Sequence, residues 1–122
     1  MEDLIAGDLK IQAIQRNPTL LELLWTGKSN ARNPTAILQP YFSQVLAAAM
    51  EKKLSVELHF EKLEHFNSST ITAIIQLIQE ARSKAVKLTI TFDHGVKWQK
   101  LSFDALRVFS KGDGLLEFRS AS

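Results

Sequence analysis

The sequence predicts a single α/β domain: a mixed sheet that opens with an antiparallel hairpin, continues through a parallel crossover and carries its helices mainly on one face. Three observations predict it. Two segments, "LSVELHF" and "VKLTITF", alternate apolar and polar residues, the period of a half-buried strand. Between them Ile71, Ile74, Ile75, Ile78 and Ala81 recur at helical steps, so strand, helix and strand make a right-handed crossover with the strands parallel. Parallel strands covered on both faces read as unbroken apolar runs, so the alternation also predicts one helix-covered face and one more polar face.

The elements follow in chain order. "LKIQAIQ" (Leu9 to Gln15) and "LLELLWTG" (Leu20 to Gly27) flank Arg16-Asn17-Pro18-Thr19, a turn signal at hairpin spacing. Asn33 and Pro34 then supply an N-cap residue and a first-turn proline for a helix. Its apolar side is Ile37, Leu38, Tyr41, Phe42, Val45, Leu46 and Ala49, and Pro40 is expected to delay or kink its first turn. Strands at Leu54 to Phe60 and Val86 to Phe92 enclose the Ile71–Ala81 helix. A last helix carries Trp98, Leu101, Ala105, Leu106 and Phe109, "KGDG" ends it, and "LLEFR" adds a short edge strand.

Composition narrows the function. A chain of 122 residues fits one domain spanning 1–122, with no repeat, low-complexity tract or linker to divide it. No apolar run approaches the roughly 20 residues that span a bilayer. The start, "MEDLIAGDLK", has early acids and no secretory pattern, so a cytoplasmic protein with no membrane attachment is expected. The chain has no cysteine, which excludes disulfides, thiolate chemistry and cysteine-bound zinc. A net charge of +2 with acids interleaved gives no basic face, so no nucleic-acid partner is expected.

Three groups of residues bear on chemistry. "TGKSN" ends like a phosphate-binding loop, but Glu22 stands where that motif needs its first glycine, and no helix follows at once. Nucleotide binding is rejected. His59, His65 and His94, even with Asp93, match no ligand spacing, and His59 falls on the polar side of its strand, so no metal site and no cofactor are expected. There is no nucleophile elbow or glycine-rich oxyanion loop, so the chain reads as a non-enzyme. The third motif is "FNSST". Asn67 or Ser68 can cap the helix that follows, worth roughly 1 kcal/mol, yet capping needs one such residue and four small polar ones stand here. A hydroxyl at a helix start is also a favourable place for a phosphate, which unpaired N–H groups and the dipole receive.

"VELHFEKLEHFNSSTITAIIQLIQEARSKAVKLTITF" resembles the core of a STAS domain, the family of anti-sigma factor antagonists, in which a strand leads to an Asp-Ser-Ser/Thr-Gly motif at the start of a helix. "WTGKSNARNPTAILQPYFSQVLAAAM" is similar to the corresponding segment of SiaC-like regulatory phosphoproteins, whose switch motif begins with Asn. The resemblance runs from about Leu20 to Phe109 and implies a single STAS-like (SpoIIAA-like) domain. It places the phosphoacceptor at Ser68, with Ser69 as the alternative, and a partner-binding loop at Asn67, Ser68, Ser69 and Thr70. Asn67 stands in place of the usual acid, and Thr70 in place of the glycine. The implied partners are a serine/threonine kinase of the histidine-kinase-like ATPase type, a metal-dependent serine/threonine phosphatase, and a sigma-factor regulator or a diguanylate cyclase. Glu61 and Glu64 are expected to sharpen the repulsion that a phosphate creates.

Overall fold

The computed structural model describes residues 1–121. Strands β1 (Leu4–Ala6), β2 (Leu9–Asn17) and β3 (Leu20–Ser29) precede helix α1 (Pro34–Lys52). Then come β4 (Ser55–His59), β5 (Leu63–Phe66), α2 (Ser68–Ser83), β6 (Leu88–Phe92), α3 (Lys97–Leu106), a 3-10 turn at Arg107–Phe109, and β7 (Leu116–Ser120). The sheet order is β1-β2-β3-β4-β6-β7, with β5 on a branch beside β3. β1, β2 and β3 pair antiparallel, and every later pairing is parallel.

The expected crossover is present: β4 and β6 are parallel neighbours with α2 between them in sequence. Leu21, Leu23, Trp25, Val56, Leu58, Phe60, Leu88, Ile90 and Phe92 form one apolar cluster with residues of α1, α2 and α3. At 25–30 cal/mol per Å² of apolar surface, burying such a face against helices is what drives the fold. The opposite face carries Glu22, Glu57, His59, Glu117 and Arg119. Thr89 and Thr91 also belong to that face yet are buried. In register they stand between Glu57 and Glu117 and between His59 and Arg119, short side chains flanked by longer ones.

Two strands lie outside the sequence expectation. β1 and β5 span 3 and 4 residues, too short to show a period. β5 exists because β3 is longer than β4: β4 pairs with Leu20–Leu24, and β5 takes up Gly27–Ser29. The chain leaves the sheet between them at Phe60 to Lys62. Buried Gln99 of α3 fills that break, donating to the carbonyls of Phe60 (2.9 Å) and Leu63 (3.2 Å) and accepting from Asp93 N–H (2.8 Å).

α1 runs unbroken through exposed Pro40. In "TGKSN", Gly27 has φ +83°, and a Cβ there would stand 1.9 Å from the Asp8 carbonyl oxygen. Only glycine fits this crossing of the β2–β3 hairpin, so the glycine has a backbone role.

Candidate functional site

The site begins where β5 ends. Phe66 packs edge-on against Trp98 (ring centroids 4.9 Å) and Phe103 (5.5 Å), which fixes the entry into α2. Asn67 follows in an extended conformation and is the N-cap. Its Oδ1 accepts from Thr70 N–H (2.9 Å) and Thr70 Oγ1 (2.8 Å), its Nδ2 donates to Ala31 O (2.9 Å), and its own N–H donates to Ser29 O (3.0 Å). Thr70 Oγ1 also lies 2.7 Å from Ser29 Oγ. With Thr70 donating to Asn67 and accepting from Ser29, all three side chains are satisfied, which a buried polar cluster requires.

This network decides between the two capping candidates. Asn67 caps, and Ser68 is free of that duty. Ser68 and Ser69 are the first two residues of α2 and both are exposed. No hydrogen bond to either hydroxyl is present among the described residues, and the first turn holds no acidic side chain. At the far end of α2, Arg82 binds Asp113 (3.1 Å), and that hydrogen bond holds the Asp113 carboxyl below the usual carboxylate range. The helix is therefore fastened at both ends.

Two expectations need correction. Thr70, expected in the partner-binding loop, is 0% exposed, because the helical turn directs it inward onto Ser29. It supports the loop from beneath. Glu61, expected to sharpen repulsion at the switch, instead meets His59 Nδ1 at 3.2 Å. Ser29 was the missed residue. "GKSN" reads as a failed phosphate motif, as a loop that could line a small polar pocket and as part of the SiaC-like likeness, none of which joins it to Asn67; the alignment of β3 with β5, Ser29 beside Phe66, is what brings Ser29 under Asn67.

A second polar cluster stands on the open face. β3 and β4 pair with Glu22 opposite Glu57 and Leu24 opposite His59. His59 Nε2 lies 2.9 Å from Glu22 Oε2 and 3.2 Å from Glu57 Oε1. Arg16 binds Glu22, and Arg119 lies 3.5 Å from Glu57 Oε2. The three histidines do not converge: His65 lies near Trp98 and His94 near Asp104. The signal for this cluster was the alternation Glu57-His59-Glu61 along one strand side, but Glu22 joins only through register.

Fold and loop together define a mixed-sheet α/β scaffold with an exposed serine pair opening its second helix behind an asparagine cap. In particular, the chain is similar to the anti-sigma factor antagonist SpoIIAA in its unphosphorylated form, with 12% identity, 92% of this chain and 88% of that chain covered, and a TM-score of 0.63. The phosphorylated form of SpoIIAA, the Bacillus cell fate determinant, matches with 11% identity, coverage of 92% and 91%, and a TM-score of 0.58. An uncharacterized protein with a SpoIIAA-like fold from Shewanella loihica matches with 13% identity, coverage of 97% and 89%, and a TM-score of 0.55. At such identities the likeness establishes the SpoIIAA-like fold. No family model and no curated protein sequence matches the chain. Among the described residues, no helix is long and apolar enough to cross a membrane.

Proposed function

We propose that this chain is a non-enzymatic bacterial signalling switch of the anti-sigma factor antagonist type. The observation that carries the reading is the Ser68 hydroxyl, exposed and unengaged at the first turn of α2 in a SpoIIAA-like fold. Unphosphorylated, the chain binds a partner regulator through Asn67, Ser68 and Ser69 and the exposed side of α2. A phosphate on Ser68 brings about −2 charge. It stays close to the helix N-terminus, whose unpaired N–H groups and dipole favour it, while repulsion and desolvation block the partner.

The Asn67–Thr70–Ser29 network matters because it holds the loop in one shape in both states. Switching then needs no refolding. The kinase in this reading is a histidine-kinase-like ATPase acting on serine, and the phosphatase is metal-dependent. The target is a sigma-factor regulator; a SiaC-like chain would act on a diguanylate cyclase. A small-ligand module would have to use the open depression of about 310 Å³ beside Asp8, Gly27, Lys28 and Glu64, since the space beside Ser29, Asn30 and Pro34 is about 10 Å³, room for one water at most.

Phosphopeptide mapping of the chain isolated from its native host, together with pull-down of the partner, tests this. Ser68→Ala is expected to remove most of the phosphate and keep the partner. Ser68→Asp is expected to weaken the partner less than a phosphate does, because one carboxylate carries less charge. Because Asn67 is the cap, both variants should fold within about 0.5 kcal/mol of the parent. Phosphate that persists in Ser68→Ala and vanishes in Ser69→Ala moves the acceptor to Ser69, and no phosphate on either serine overturns the reading.

A further inference from the structure

The open-face cluster is an unusual arrangement for a sheet. Glu22 and Glu57 stand directly opposite each other on neighbouring strands, a like-charge pairing that costs stability unless a cation lies between them. Their side chains are 12% and 15% exposed, and that of His59 is 17% exposed, so water screens them only in part. Glu22, Glu57, Glu61 and Glu117 meet Arg16, Arg119 and Lys87. Glu61 is left with only His59 as its partner among the described residues.

We propose that Glu22, Glu57 and His59 form a binding site for a divalent transition ion of the zinc type, on the sheet face remote from the helices. Three features carry this. One ligand atom from each of the three residues lies within 4.8 Å of the others. A tetrahedral ion with bonds of 2.0–2.2 Å to N and O holds its ligand atoms about 3.3 Å apart, close to the 2.9 and 3.2 Å that separate His59 Nε2 from the two carboxylates. The two carboxylate oxygens lie within 4.8 Å of each other, and side-chain rotation would bring them round the ion.

The second feature is the orientation of the imidazole. Nδ1 faces Glu61 Oε1 at 3.2 Å. A proton held there leaves the Nε2 lone pair pointing between Glu22 and Glu57. This carboxylate–histidine relay is the usual outer support of a metal-bound imidazole, which makes Glu61 a positioning residue. The third is the approach. Gln12, Leu24, Thr26, Glu61 and Lys62 border an open depression of about 290 Å³ that reaches His59, so an ion can approach the imidazole from water.

The donor set chooses the ion class. One imidazole nitrogen with two carboxylates suits zinc and its neighbours, whereas magnesium and calcium select all-oxygen shells. The bound ion would join β3 to β4. This runs against the sequence-based expectation of no metal site, which considered the three histidines and Asp93 but could not place Glu22 beside His59. The inference stands apart from the phosphoswitch reading and does not rest on it.

The test is titration of the chelator-treated full chain, with Zn²⁺ followed by calorimetry and Co²⁺ by visible absorption. One ion per chain is expected, with the intense visible bands of low-coordinate Co²⁺ and no heat from Mg²⁺ at the same concentration. His59→Gln and Glu22→Gln should each weaken binding about tenfold or more, and Glu61→Gln about tenfold, as outer-shell partners do. His65→Gln and His94→Gln should change nothing. Circular dichroism checks the fold of each variant, and the two ligand variants are read independently so that either can decide. Absence of saturable Zn²⁺ binding, or binding that survives both His59→Gln and Glu22→Gln, overturns the proposal.

Discussion

The molecule holds two polar networks of similar size in opposite settings. Ser29, Asn67 and Thr70 form a neutral, buried network on which the α2 loop rests, while Glu22, Glu57, His59 and Glu61 form a charged one on the open face. In the first, neutral groups bond one another and the backbone inside the protein, so the arrangement is indifferent to ions. In the second, carboxylates gather round one imidazole in partial contact with water, the donor set that the proposed ion would use. Hydrogen bonding among neutral groups makes a platform, and converging carboxylate and imidazole donors make a receptive site.

The largest test of this contrast uses adjacent residues. Phe60 is fully buried and packs on Trp25 (4.7 Å) and Phe103 (4.8 Å), while His59 faces the open side. Phe60→Ala should lower stability by about 3–5 kcal/mol, whereas His59→Gln should change it by no more than about 1 kcal/mol in metal-free buffer. Urea denaturation of both measures the difference, and comparable losses would mean that the open-face cluster is structural after all.

A smaller effect sharpens the other half of the comparison. Thr70→Val keeps the shape of the side chain but leaves Asn67 Oδ1 and Ser29 Oγ with fewer partners, at a cost of about 1–3 kcal/mol. That loss should be the same in 0.1 M and 1 M salt, because no charge is involved, while the ion pairs of the open face weaken as salt rises. A salt-dependent penalty for Thr70→Val would refute the neutral-network account.

A third effect, confined to alkaline pH, is a response of the helix-covered side. Burial, and to a lesser degree the Asp3 charge, push the Tyr41 phenol up to about 12, and its hydroxyl donates to Glu2 O at 2.9 Å. A group whose folded pKa is raised contributes stability that is complete below its unfolded value, near 10. That contribution is lost as pH climbs from about 10 to about 12. Tyr41→Phe should flatten the alkaline limb of the stability curve in that window, read by thermal melts at stepped pH, and leave the neutral range unaltered in slope.

Local pattern was enough for much of this molecule. Alternation at Val56, Leu58, Phe60, Leu88, Ile90 and Phe92 fixed two strands and their buried side, because a strand's side chains repeat every two residues wherever it lies. The stripe of α2 and the Asn67–Ser68 position at its start followed from helix periodicity and capping, which are also local. What the sequence could not supply was whatever depends on the alignment of one strand against another. β5 exists because β3 outruns β4, Ser29 lies under Asn67 because β3 and β5 align, and Glu22 meets Glu57 and His59 because β3 and β4 pair in one register and no other. Register is set by packing of the whole apolar face at once, a property of the assembled sheet that no short segment carries.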